Sequence, residues 1–306
     1  MTSRRSSLLQ RLTMTASAVA DPAIAAFADP ARQVFRSFLG ALRRDTRARV
    51  GGVLALVLTG LLVVGALVAP PTGRASESLL GPSASHVLGT DEAGRDVFRA
   101  LISGSFPTLT LALLAVLGSG ALGAALGALS GLLRGGFDGF LRRLLEVTAA
   151  VPSLLLVLVL QAAFPATFTL LLVVVACRCP EIALVARADV IRVQTLDHVT
   201  AARALGASPG RILASHVMPW VLSSGLVVAA FGVGTVVVLE SAVAIVGVGQ
   251  VHPLAWGALL GQARRHPEAW WLVAFPSLLV LITVAASVLL GEAMRDTLDP
   301  KERLRT

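Results

Sequence analysis

Six stretches of about 20 mainly apolar residues punctuate the chain, and that is the length an α-helix needs to cross the hydrocarbon of a bilayer. They cover residues 50–68, 108–133, 145–164, 167–186, 219–246 and 270–290. The first stops at Ala69-Pro70-Pro71, and the third carries Pro152. The pattern predicts an all-α membrane protein of about six transmembrane helices, with a tail at 1–49, a transmembrane domain at 50–291 and a tail at 292–306. An even number of crossings returns the chain to its starting side. The polar sequence between runs is short, chiefly 70–107 and 187–218, which leaves no room for an enzymatic domain. No repeat of 20–50 residues is visible, which removes solenoid folds.

The basic residues orient the predicted bundle. Of the 26 Lys and Arg, 21 fall in the N-terminal tail, in 134–143, in 178–211 and in the C-terminal tail. The alternate loops keep Arg74, Arg95, Arg99, Arg264 and Arg265. Short cytoplasmic loops retain positive charge, so both termini are expected inside. Composition agrees: 55% of residues are apolar, 14% are charged and mean hydropathy is +0.80, which excludes an ordinary soluble domain. The net charge of +8 does not indicate nucleic acid, because the arginines lie between apolar runs and not on one polar face. Behind Arg4, Arg5 and Arg11, the mildly apolar stretch is interrupted by Asp21, Pro22 and Asp29, so the N-terminus reads as a cytoplasmic tail and not as a secretory signal. Residues 35–49 mix apolar side chains with Arg36, Arg43, Arg44, Arg47 and Arg49. That fits either a helix lying on anionic membrane lipids or a polar tail whose arginines set topology. Cys177 and Cys179, two apart on a helix, point to different sides and read as packing residues, not as a disulfide or metal pair.

Two polar segments stand out. The first runs from His198 to Arg211 and closes on His216-Val217-Met218-Pro219. Its residues predict a short helix, a break at Gly206, and a second helix with Ser208 as N-cap and Pro209 in first position. Small side chains at Ala201, Ala202 and Ala204 would let another surface approach closely; a plain polar connector is the alternative. The stretch resembles the coupling loop of ABC-importer permeases, whose pattern is Glu-Ala-Ala, three residues, Gly, nine residues, Ile-x-Leu-Pro. Ala201, Ala202, Gly206 and Pro219 match it, while Thr200, His216 and Met218 replace the Glu, Ile and Leu. The resemblance implies a cytoplasmic coupling helix between spans four and five, seated in a groove of an ATPase. Its residues would be Thr200, Ala201, Ala202, Arg203, Gly206, Ala207, Ser208, Arg211 and Pro219, within the loop 187–218.

The second segment, at 85–106, contains His86-Val87-Leu88-Gly89-Thr90-Asp91-Glu92-Ala93-Gly94-Arg95-Asp96-Val97. Thr90 and Asp91 can cap a helix with Val97, Phe98, Leu101 and Ile102 as an apolar stripe, which predicts an interfacial helix on the outer face. A simple lead-in to span two is the alternative. The segment is similar to the H-P-L-G-T-D-x-x-G-R-D-V motif of dipeptide, oligopeptide and nickel importer permeases, with Val87 in place of Pro. That similarity implies an outer gate or docking surface at Gly89, Thr90, Asp91, Gly94, Arg95 and Asp96. Pro152-Ser153, Pro180, Trp256-Gly257, Arg295-Asp296 and Leu298-Asp299-Pro300 extend the resemblance, whereas Cys179 and Leu184 depart from it. It implies a subunit of a bacterial inner-membrane importer of peptides, or of nickel or another small solute. The implied partners are a second, similar permease, two cytoplasmic ATP-binding subunits, an extracytoplasmic substrate-binding protein and membrane lipids. ATP and Mg would be used by the partner ATPase, and no cofactor would be bound by this chain.

Ionisable side chains in hydrocarbon are costly unless they face protein or water, which makes Arg178, Glu181 and Glu240 candidates for the pathway. Arg178 and Glu181, three apart, read equally as a structural pair on one helix face. Span two offers small-residue faces at Gly118, Gly120, Gly123 and Gly127. There is no Gly-x4-Gly-Lys-Ser/Thr, the only lysine being Lys301, and His-Glu-x-x-His and Gly-x-Ser-x-Gly are also missing. The chain is therefore not expected to be an enzyme. The rival readings are a secondary transporter driven by an ion gradient, for which inverted repeats are not visible, and an intramembrane enzyme, for which the spans carry too few polar residues.

Overall fold

The computed structural model describes Gly40 and residues 45–73, 77–133 and 136–298. Most of the 1–49 tail, Arg134 and the Asp299-Pro300 end lie outside the described residues. The described helices are α1 (Thr46–Leu67), α2 (Val97–Leu132), α3 (Gly136–Ala150), α4 (Ser153–Ala163), α5 (Thr167–Gln194), α6 (Asp197–Ala204), α7 (Pro209–Ile212), α8 (Met218–Val246), α9 (Trp256–Ala263) and α10 (Trp271–Leu298). Five are long and apolar enough to cross a membrane, and a sixth is if α3 and α4 count as one broken span. The all-α membrane fold expected from the apolar runs is the fold observed.

Two expectations change in detail. The apolar run at 145–164 is not a straight span, because α3 and α4 meet at 89°. The cause is Val151-Pro152: proline has no N–H for the helical ladder and pushes its predecessor out of the α region, and Pro152 becomes the N-cap of α4. The 11 residues of α4 reach only about 16 Å, roughly half the hydrocarbon thickness. The interfacial helix expected near 97–106 is instead the start of α2, which runs unbroken for 36 residues through Pro107. Nor do Thr90 and Asp91 cap it. Asp96 is the N-cap and accepts from the Arg99 amide, since the Asp91 carboxylate is engaged in the preceding turn.

α5 is the most enclosed span, half of its apolar window being buried. It lies along α2, and their contacts rise together in sequence: Gly118 meets Val175, Gly123 meets Ile182, Gly127 meets Ala186 and Gly131 meets Val190. The two helices therefore run parallel. A Cβ at Gly123 would sit 2.7 Å from that of Ile182, so the small face of span two serves close backbone packing. α8 packs between α5, α2 and α10, while α1 flanks α2 and α10. Val53, Leu56 and Leu67 of α1 are exposed, as expected where the neighbour is lipid or another subunit. Cys177 and Cys179 are both buried and unbonded.

Two apolar cores result. The larger joins α2, α4, α5, α8, α9 and α10 around Leu109, Val157, Leu170, Val237 and Trp256. The smaller lies at the other end of the bundle and is built by Ala128, Ala186, Val190, Val193, Val199, Ile212, Val217 and Val221.

Candidate functional site

Three regions hold the residues singled out by sequence. At the end of the bundle carrying the smaller core, α5 ends at Gln194 and the chain turns at once into α6. Leu205 closes α6, and Gly206 follows at φ +85° with open space around its Cα, so glycine is required there by backbone conformation and not by crowding. The Ala207 amide bonds back to the Ala202 carbonyl at 3.0 Å, and Ser208 Oγ accepts from the Arg211 amide at 3.4 Å, the N-cap arrangement the sequence suggested. The chain then widens into a π-turn, Leu213–Val217, which ends at Met218, one residue before Pro219. Proline offers no N–H to the α ladder, which makes the wider turn the local solution. Val199 and Ile212 plug this segment into the smaller core, and Arg192 lies 5.6 Å over the Trp220 ring. Thr200, Ala201, Arg203, Ser208 and Arg211 face outward, and Leu205 is 88% exposed at the tip. The segment is thus anchored on α5 and α8 by one face and open on the other.

At the opposite end, Gly89, Thr90, Asp91, Gly94, Arg95 and Asp96 are brought together as one knot. Asp91, fully buried, accepts from the Ala93 and Arg95 amides at 3.0 and 2.8 Å and from Arg95 Nε at 2.8 Å. Thr90 exchanges bonds with Leu80, and its carbonyl accepts from Trp271 Nε1 at 3.0 Å. Gly89 has φ +78°, and a Cβ there would meet Trp271 Nε1 at 2.9 Å. The motif is therefore a clasp that pins the 77–96 segment onto α10. A second link runs to α9 and the loop after it: the Glu92 amide donates to Gln262 Oε1, and Arg265 Nη2 donates to Glu92 Oε2 at 2.5 Å. The Arg265 guanidinium holds the Glu92 carboxyl below its ordinary value, with His266 adding to the effect.

Between these ends lie the ionisable candidates, and they do not form one cluster. Arg178 donates to Glu181 at 2.6 Å, with Arg178 mostly covered and Glu181 nearly half exposed, the same-face pair that i,i+3 spacing predicts. Glu240, on α8, is 1% exposed and lines a cavity of about 670 Å³ with residues of α1, α2 and α5. The Thr108 side chain lies beside it. The Trp256 amide donates to Thr108 Oγ1 at 3.1 Å, and Trp256 Nε1 donates to the Leu101 carbonyl at 2.9 Å.

Residues 123–304 match the model of a family described as binding-protein-dependent transport system inner membrane component. The chain belongs to that family. It is 34% identical over 226 residues, 73% of this chain and 76% of the relative, to the probable D,D-dipeptide transport system permease protein DdpC of Escherichia coli (strain K12). It is 33% identical to the dipeptide transport system permease protein DppC of the same strain, over 85% of this chain and 90% of that one. A third relative, the di/tripeptide transport system permease protein DppC of Pseudomonas aeruginosa (strain UCBPP-PA14), is 31% identical over 92% and 95% of the two chains.

Sequence reading of this permease missed the interactions that join distant segments. Arg187 binds Asp138 through two bonds of 2.9 and 2.7 Å, and Ser130 donates to the same carboxylate at 2.6 Å, tying α5, α3 and α2 beside the smaller core. Asp138 stood in a polar loop and Arg187 at a span end, with nothing local to pair them. Trp256 had been noted only as a family match, and the roles of Thr108, Gln262 and Trp271 carried no signal in spacing.

Proposed function

We propose that this chain is one of two membrane-spanning subunits of an ATP-driven peptide importer. In this reading the segment from Thr200 to Arg211 faces the cytoplasm, in agreement with the charge distribution, and receives the motion of a pair of ATP-binding subunits. An extracytoplasmic binding protein delivers cargo at the end held by the Asp91 clasp. The observation that carries the reading is the construction of the 197–217 segment: one face is locked to α5 and α8 through Val199, Ile212 and Val217, while the other exposes Leu205 and small or basic side chains to a partner. A push on such a segment moves both spans together, because packed interiors transmit displacement instead of absorbing it. Alternating access would then be an equilibrium between two bundle arrangements biased by the chemistry of the partner. The names of the relatives favour di- and tripeptides as cargo; nickel or another small solute is the second reading. The chain itself supplies no ATP site in this scheme, and ATP and Mg belong to the partner.

The test is co-purification. The chain would be co-expressed with the ATP-binding and permease subunits encoded beside it and recovered in detergent. ATPase is expected with the native chain and lost with Gly206→Arg, where any side chain strains the turn, or with a bulky residue at Ala202. Recovery of no ATPase with the native chain would contradict the assignment, and undiminished recovery with both variants would remove the loop from the contact.

A further inference from the structure

We propose that the cavity beside Glu240 is a subsite for the protonated α-amino group of the peptide cargo, with the Glu240 carboxylate as its counter-ion. The proposal rests on the peptide-importer reading above. The volume, about 670 Å³, lies within the range of small-ligand pockets. Its wall is mainly apolar, from Phe106, Leu111, Phe168 and Leu171, and neither Arg nor Lys lines it among the described residues; His252, the other ionisable side chain of the lining, accepts from the Leu254 amide through Nδ1 and is held by burial below its ordinary value, toward the neutral ring. The apolar side chains and the positive head of such a cargo match that wall, whereas a carboxylate there would be repelled by Glu240 and stripped of water by the apolar side chains.

Glu240 is prepared for such a partner. It is 1% exposed, and its Oε2 has no hydrogen bond among the described residues. The cations of α5 are engaged: Arg178 holds Glu181, Arg187 holds Asp138 and Arg192 lies over the Trp220 ring. Thr108 Oγ1 already accepts from the Trp256 amide, which leaves its proton free to donate toward Glu240 and to fix one carboxylate oxygen while the other stays available. A carboxyl set in hydrocarbon is costly unless a cation or water reaches it, and an arriving ammonium supplies that cation. Glu240 lies six residues before the end of α8, about 9 Å of helix from the end where the Asp91 clasp sits, so the cargo would meet it early in its passage.

The experiment uses the full complex with its binding protein and ATPases in proteoliposomes. ATP-dependent uptake of Ala-Ala is compared with uptake of propionyl-alanine, which lacks only the amine. The binding protein is common to all samples, so its own preference cancels when the ratio of the two rates is compared between the native chain and Glu240→Gln. The ratio is expected to fall about tenfold, the scale of one charge-assisted hydrogen bond. A second readout does not depend on turnover: a hydrophobic carbodiimide should label Glu240, and Ala-Ala but not propionyl-alanine should slow the labelling. An unchanged ratio together with no selective protection would overturn the proposal and leave Glu240 as a packing contact of Thr108. If the native complex carries neither compound with ATP, the peptide-importer reading fails and takes this proposal with it.

Discussion

Replacing Gly127 by alanine adds one methyl group where α2 comes closest to α5. The new Cβ would overlap the Ala183 carbonyl oxygen and lie 2.7 Å from Ala186 Cβ and 2.9 Å from the Arg187 amide nitrogen. Two of those atoms are backbone, so relief requires the helices to separate. Overpacking of this kind costs about 1–3 kcal/mol, against about 1 kcal/mol gained from replacing glycine within a helix. Gly120, on the same helix, provides the control: a Cβ there meets nothing within 4 Å, so Gly120→Ala should keep the gain. The two variants should therefore differ by roughly 1–3 kcal/mol, or on the order of 5 °C in apparent melting temperature. The assay is thermal unfolding of purified protein in one detergent at one scan rate, since unfolding of such a protein is read as a rate as much as an equilibrium. Gly127→Ala melting as high as Gly120→Ala would refute the close parallel packing of α2 and α5.

Other outcomes follow from the clasp and its links. Asp91→Ala removes the acceptor for two amides and leaves the mostly covered Arg95 without its carboxylate, which should cost about 3 kcal/mol locally; hydrogen exchange of 77–96 should accelerate strongly while α5 stays protected. Glu92 is held below its ordinary value of 4.5 by Arg265, so its contribution is fully present above that value and is lost as pH falls through the lowered folded value. A melting series should show the gap between native chain and Glu92→Gln open at neutral pH and closed in acid; a gap that widens in acid would contradict the ion pair. Asp138→Ala leaves Arg187 without its carboxylate beside the smaller core and should lower the apparent melting temperature by several degrees, with Arg187→Ala in the same background adding little, as coupled neighbours do.

Hydrophobic runs of span length made the membrane fold legible, because burial in lipid acts on every residue of a helix and leaves a long signal. The break at Gly206 and the Ser208 cap were legible for another reason: both depend on local backbone chemistry. The bend at Pro152 was hidden inside a continuous apolar run, since hydropathy does not register direction. Asp91 looked like a helix cap, being an acid ahead of an apolar stripe, yet Asp96 stood nearer the stripe and Arg95 offered Asp91 a better use. Pairs such as Asp138 with Arg187, Thr108 with Trp256 and Glu92 with Arg265 join helices far apart in sequence. No one-dimensional periodicity encodes which helices become neighbours.

The central claim is that the tip of the 197–211 segment touches an ATP-binding partner on the cytoplasmic side. Leu205→Cys, made in a chain whose buried Cys177 and Cys179 are replaced, places a single thiol at that tip, and Val87→Cys does the same at the opposite end, where Val87 is 70% exposed. In whole cells a bismaleimide should join Leu205→Cys to the ATPase, while a membrane-impermeant maleimide should reach only Val87→Cys. Labelling of Leu205→Cys from outside, or a cross-link to the ATPase from Val87→Cys, would contradict the account.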